Sequence, residues 1–400
     1  MTSRKAALAF IFITVLLDML ALGIVIPVLP RLVERFMGND TARAAEVYGV
    51  FGTVWALMQF FSMPVLGMLS DRYGRRPVIL LSCLGLGLDY VLMALAPNVA
   101  WLFVGRVISG IVTSNISTAF AYVADVTPSQ ERAGAFGLVG VAFGIGFVMG
   151  PALGGVLGVV DPRMPFWVAA ALSLANALYG WFVLPESLPR ERRSPFQWRK
   201  ANPVGALALL RAQPRLFGLA AINLLSQLAH VVLPSVTVLY AGYRYGWDEA
   251  HVGFMLAGVG VCSMIVQGGL VRPAVARLGE RTALLTGLAC GAAGFAIYGL
   301  APTGPLFLIG VPIMSLWGLT GPSVQALMTR RVSESEQGRL QGANASMQAI
   351  AGLIGPGLFT QIFAMFIGPR ASWHLPGAPF LLAALLLLAA MLVGWRATRT

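Results

Sequence analysis

The chain is poor in charge, in cysteine and in histidine. Only 11% of its 400 residues are charged, 16 acids against 28 lysines and arginines. A soluble domain of this length carries about twice that proportion, so a water-soluble globular fold is excluded. Its three cysteines, Cys83, Cys262 and Cys290, stand alone inside apolar runs. They make neither a disulfide framework nor a metal site. His230, His251 and His374 are equally scattered, with no His-Glu-x-x-His or Cys-x-x-Cys spacing. An enzyme is therefore the weakest reading, and no resident cofactor is expected. No Gly-Lys-Ser/Thr follows the glycine-rich stretches, which argues against a nucleotide loop. The net charge of +12 sits in short loops, not in a basic patch interleaved with exposed aromatics, so no nucleic acid is expected as a partner.

What the chain has is apolar length. Hydrophobic residues make up 57%, and mean hydropathy is +0.77. Apolar runs of about twenty residues, enough to cross a bilayer, recur near 6–30, 45–69, 77–96, 99–123, 133–159, 164–185, 215–240, 250–272, 281–301, 304–328, 340–367 and 376–395. Arg4-Lys5 before the first run has the outline of a signal peptide. Asp18 interrupts that run and further spans follow, so a retained first helix is expected. The expected fold class is an all-α membrane protein with twelve transmembrane helices in two six-helix halves. Residues 1–185 would form the first bundle and 215–400 the second, with 186–214 a basic cytoplasmic linker along anionic lipid. Arginines concentrate in alternate loops, including Arg72, Arg75, Arg76, Arg132, Arg277, Arg281, Arg330 and Arg331. By the positive-inside rule those loops and both termini are cytoplasmic. A monomer in the cell (inner) membrane, with the lipid bilayer as its partner, is the expectation.

The two halves repeat at an offset of about 205 residues. Gly150-Pro151 corresponds to Gly355-Pro356, and Val126–Arg132 to Val332–Gly338. Arg72-Tyr73-Gly74-Arg75-Arg76 has a weaker echo in Arg277-Leu278-Gly279-Glu280-Arg281. Six spans per repeat place a pseudo-two-fold axis along the membrane normal and a substrate cavity between the halves.

Once charges at loops and span ends are set aside, three charged residues remain inside spans: Asp18, Asp89 and Arg106. A charge at mid-membrane costs from about 3 to more than 10 kcal/mol, so each is a functional candidate. Either Arg106 neutralises one aspartate statically, or the acids carry protons; two acids against one arginine favour proton coupling, with Asp18 the main carrier. Gln59, Asn115, Gln227, His230, Ser263, Gln267, Gln325 and Asn344 are polar residues within spans. They are candidates to bind a polar, partly aromatic small molecule, with helix–helix hydrogen bonding as the alternative for each. Trp317 and Phe51 read as packing residues. Gly146, Gly150, Gly154 and Gly158 are spaced four apart, with Gly155 and Pro151 alongside. On a helix they make a smooth face against which another backbone can lie.

One stretch is more specific than any of these. Gly67-Met68-Leu69-Ser70-Asp71-Arg72-Tyr73-Gly74-Arg75-Arg76-Pro77 joins spans 2 and 3, and its G-x3-D-R-x-G-R-R-P pattern resembles the signature loop of major facilitator superfamily transporters. That resemblance implies the major facilitator fold, with Gly67, Asp71, Arg72, Gly74, Arg75, Arg76, Asp125 and Arg132 forming the cytoplasmic gate. The Gly146–Gly155 string resembles the span-5 motif of drug/proton antiporters, which favours export over symport. Leu17-Asp18, Leu88-Asp89-Tyr90, Gly105-Arg106 and Glu336-Gln337-Gly338 are similar to motifs of the tetracycline-efflux branch. Membership there implies proton-driven export of tetracycline, as a magnesium chelate, with essential roles for Asp18, Asp71, Arg75, Asp89, Arg106 and Asp125. Ser263 stands where that branch has a histidine, and Gly291 near its span-9 aspartate. Another drug or metabolite is thus an alternative cargo.

Overall fold

The computed structural model describes residues 2–113, 115–128, 131–194, 214–333 and 336–398. Among these, every regular element is helical. The first half holds α1 (Thr2–Val25), α2 (Leu29–Phe36), α3 (Thr41–Tyr73), α4 (Arg75–Leu95), α5 (Val99–Val112), α6 (Asn115–Val126), α7 (Arg132–Val160) and α8 (Met164–Val183). The second holds α9 (Pro214–Tyr245), α10 (Glu249–Ile265), α11 (Val271–Leu300), α12 (Gly304–Ser315), α13 (Thr320–Thr329), α14 (Gln337–Ile367) and α15 (Ala378–Ala397).

Eleven helical stretches among the described residues are long and apolar enough to cross a bilayer. One of them, Glu249–Leu300, runs for 52 residues. At 1.5 Å per residue it would reach about 78 Å, more than twice the hydrocarbon thickness. Gly279 breaks it with φ 76°, ψ 160°. It is therefore long enough for two crossings, which makes the described residues consistent with twelve spans. Leu81, Trp181, Phe182 and Phe217 are among the apolar side chains left exposed, as lipid contact requires.

Several expected spans differ from the sequence reading. The fourth is not one helix: α5 ends at Val112, and α6 begins at Asn115. Both the backbone N–H and the hydroxyl of Thr113 bond the Ser109 carbonyl, so this side chain turns back on the last turn of α5. The tenth is interrupted by a 3₁₀ turn at Leu316–Leu319 between α12 and α13, beside Gly318, Gly321 and Pro322. A π turn at Val266–Leu270 likewise separates α10 from α11.

The chain forms two compact units. The first comprises Met1–Phe36, Val54–Asn202 and Asp248–Ala257. Within it α1 packs along α7 and α8, and α4 along α8, α5 and α6. Its core includes Ile11, Val15, Cys83, Tyr122 and Val139. The second comprises Met37–Thr53, Pro203–Trp247 and Gly258–Thr400. There α9 packs along α14 and α15, and α11 along α15, α12 and α13. The pairing repeats that of the first unit, helix for helix. An aromatic cluster anchors the second core: Tyr298 and Phe307 stack at 4.1 Å, and the Tyr240 hydroxyl donates to the Tyr298 carbonyl at 2.9 Å.

Candidate functional site

Three clusters hold most of the candidate residues, and each lies within a single unit. The first is built on α1, α4, α5 and α8. Asp18 is 6% exposed. The Asn176 amide donates to its Oδ1 at 3.0 Å and to the Thr14 carbonyl at 2.9 Å. The Cys83 thiol also points at Oδ1, 3.7 Å away. Asp18 lines a small cavity with Trp55, Tyr90, Arg106, Ser109 and Thr113. Its volume is about 30 Å³, room for two or three waters at about 10–15 Å³ each. A drug-sized ligand needs several hundred Å³, so this cavity suits protons and water. The Arg106 guanidinium lies over the Trp55 ring, 5.1 Å from its centre.

Asp89 does not line that cavity. Both its carboxylate oxygens are buried without a hydrogen-bond donor among the described residues, and Arg106 supplies the charge that acts on it. Gly105 faces it so closely that a Cβ there would stand 3.0 Å from Oδ1.

The second cluster is the turn between α3 and α4. Gly74 takes φ 111°, a conformation that glycine alone adopts at little cost. This lets Arg75 turn back. Its guanidinium contacts Asp71 Oδ1 at 2.5 Å, Asp125 Oδ2 at 3.1 Å and Ser70 Oγ at 3.0 Å. Arg76 donates to the Trp181 carbonyl near the end of α8. Arg132 donates to the Thr127 and Ala124 carbonyls, closing the end of α6. Arg72 lies over the Tyr73 ring instead. Gly67 has open space where a side chain would stand, so packing gives no reason for glycine there. The start of the 186–214 interval is tied to this turn. Glu186 accepts from the backbone N–H of Arg75 at 2.9 Å, and the Ser194 N–H bonds the Asp71 carbonyl at 3.1 Å. Residues 195–213 of that interval lie outside the described ones.

The third cluster belongs to the second unit. Asn223 donates to Asn344 at 3.1 Å, and Asn344 to Gln325 at 2.8 Å. Asn344 thus links Asn223 and Gln325 across α9, α14 and α13. His230 lies against Trp317, ring centres 5.7 Å apart, and Gln267 sits exposed in the π turn. Ser263 and Gln227 are half-buried nearby in sequence on α10 and α9. Gln59 lies in the first unit, and the Asn115 side chain is outside the described ones. Trp317 packs so tightly on Gly291 that a Cβ there would stand 2.8 Å from its ring. An acidic side chain at 291 has no room beside this tryptophan.

The glycine row of α7 meets α1. A Cβ at Gly23 would stand 2.9 Å from both Gly146 and Gly150, and Gly158 faces Val28. Gly155 and Gly158 also face Glu249, a buried acid whose Oε1 pairs with Arg35 at 3.1 Å. Sequence reasoning missed Asn176, Glu186, Glu249 and Arg35. Only Glu186, beside Pro185 at the end of a span, had a local signal.

Comparison with known proteins agrees with this architecture. The family model of the Major Facilitator Superfamily matches residues 11–356. The tetracycline resistance protein, class C, of Escherichia coli is 37% identical over 358 residues, 90% of each chain. The class D protein of Salmonella ordonez is 34% identical, again over 90% of each. Among solved structures, the human organic anion transporter TETRAN superposes with a TM-score of 0.71 at 24% identity, over 98% of this chain and 99% of that one. The chain belongs to the major facilitator superfamily and, within it, to the family of the tetracycline resistance proteins: it is a multi-pass membrane transporter, not an enzyme.

Proposed function

We propose that the protein is a proton-coupled antiporter that exports tetracycline, as a magnesium chelate, by alternating access. The observation that carries this reading is that a buried, amide-held Asp18 and Arg106 line the same water-sized cavity, in a chain 37% identical to a tetracycline resistance protein. Asp18 loads and releases the proton, Asp89 and Arg106 set the field around it, and Asn176 fixes its orientation. Arg75, held by Asp71 and Asp125, secures the cytoplasmic side, with Gly74 and Arg76 shaping the turn and Arg132 the end of α6. Gly146, Gly150, Pro151, Gly154 and Gly155 form the hinge face. Gln59, Asn115, Gln227, His230, Ser263, Gln267, Gln325 and Asn344 contribute the polar surface for substrate. The protein works as a monomer in the inner membrane with both termini cytoplasmic.

The test is tetracycline accumulation in a susceptible bacterium expressing the chain. Lowered accumulation, restored by a protonophore, is expected; accumulation equal to that of cells without the chain contradicts the reading. A second reading rests on Trp317 filling the space beside Gly291: the cargo is another drug-like molecule. Then the same cells exclude a different compound of a drug panel while tetracycline enters freely.

A further inference from the structure

The echo of the 72–76 turn at 277–281 extends into three dimensions. Gly279, like Gly74, has positive φ, 76° against 111°. Arg281 donates to the carbonyl of Trp395 at 3.5 Å, as Arg76 does to that of Trp181. Each tryptophan is the third-last residue of its half's final helix. Two positions keep the 205-residue offset but reverse in sign: Arg75 corresponds to Glu280, and Asp125 to Arg330. Arg75 pairs with Asp125 at 3.1 Å; Glu280 pairs with Arg330 at 2.8 Å.

We infer that Glu280–Arg330 is a second latch, built on the positions of Arg75–Asp125 with its polarity reversed. It ties the helical segment that follows Gly279 to the end of α13. A residue held for its own charge would keep its sign between repeats. What the repeats share is the tie between two helix ends. Topology does not account for Glu280, because orientation is set by arginines and lysines and acids contribute little to it. Nor is it a solvated surface acid: its side chain is 14% exposed, while that of Arg330 is 73% exposed. Losing Arg330 strands a largely buried carboxylate, whereas losing Glu280 frees an arginine already in solvent. Arg330→Gln is therefore the more damaging single change. Both are positioning residues in transport, and the inference rests on the transport reading above.

The test uses the full chain in everted membrane vesicles, following proton release on addition of tetracycline with magnesium. Glu280→Gln and Arg330→Gln are expected to lower the maximal rate about two- to fivefold, the scale of a partly exposed ion pair, Arg330→Gln the more strongly, with KM unchanged. Glu280→Arg combined with Arg330→Asp, which copies the polarity of the first half, restores the rate to within about twofold of the parent. A reversed pair as slow as the single variants, or single variants at full rate, overturns the latch. The same variants are melted in detergent, a readout that needs no substrate. If the parent ignores tetracycline, the drug assignment fails alone and the melting cycle decides the latch: recovery of Tm in the reversed pair supports it, and additive losses overturn it.

Discussion

Arg75 holds Ser70, Asp71 and Asp125 through one planar guanidinium. A lysine presents a point charge on a flexible stem and cannot span those acceptors at once. Arg75→Lys should therefore behave nearly as Arg75→Ala, with transport reduced about tenfold in each, the scale of one or two charge-assisted hydrogen bonds. Vesicle transport at matched expression checks this, and near-full activity of the lysine variant would refute it. Gly291 makes a second residue-scale case. Gly291→Asp drives a side chain into Trp317, and overpacking costs about 1–3 kcal/mol. Its melting temperature should fall, and adding Trp317→Ala should recover part of the loss. The loop residues were legible in sequence because glycines, arginines and an aspartate at that spacing are rare in an apolar chain. Asn176 was not, because a lone amide in an apolar helix has no pattern to betray its partner on another helix.

At the scale of elements, the row of small residues on α7 lets its backbone lie against α1. Gly154 faces the backbone of Ile24 too closely to admit a Cβ. Gly154→Val should lower stability by about 1–3 kcal/mol and reduce transport, both measurable on purified protein in detergent and in vesicles. A valine variant with unchanged melting would show that the helices part easily. This close approach was readable from a four-residue glycine period. The breaks in spans 4 and 10 were not, since hydropathy averaged over a window does not register Thr113 bonding back to Ser109 or a single 3₁₀ turn. The Glu280–Arg330 pair escaped for another reason: a repeat sought by like residues passes over one whose charges are exchanged.

At the scale of the whole molecule, apolar runs of bilayer length and the 205-residue repeat were enough to anticipate two six-helix halves. The second half has the same helix pairing as the first, yet its spans hold few ionisable groups, and the water-sized cavity lies in the first unit with Asp18 and Arg106. Under the proposed function, coupling falls to the first half and most substrate contacts to the second. The most direct test uses everted vesicles energised to an acid interior, with a pH-sensitive dye and tetracycline plus magnesium added. The account predicts drug-dependent proton release from the parent and none from Asp18→Asn, a change that preserves size while removing the titrating group. Undiminished drug-dependent release from Asp18→Asn would contradict it.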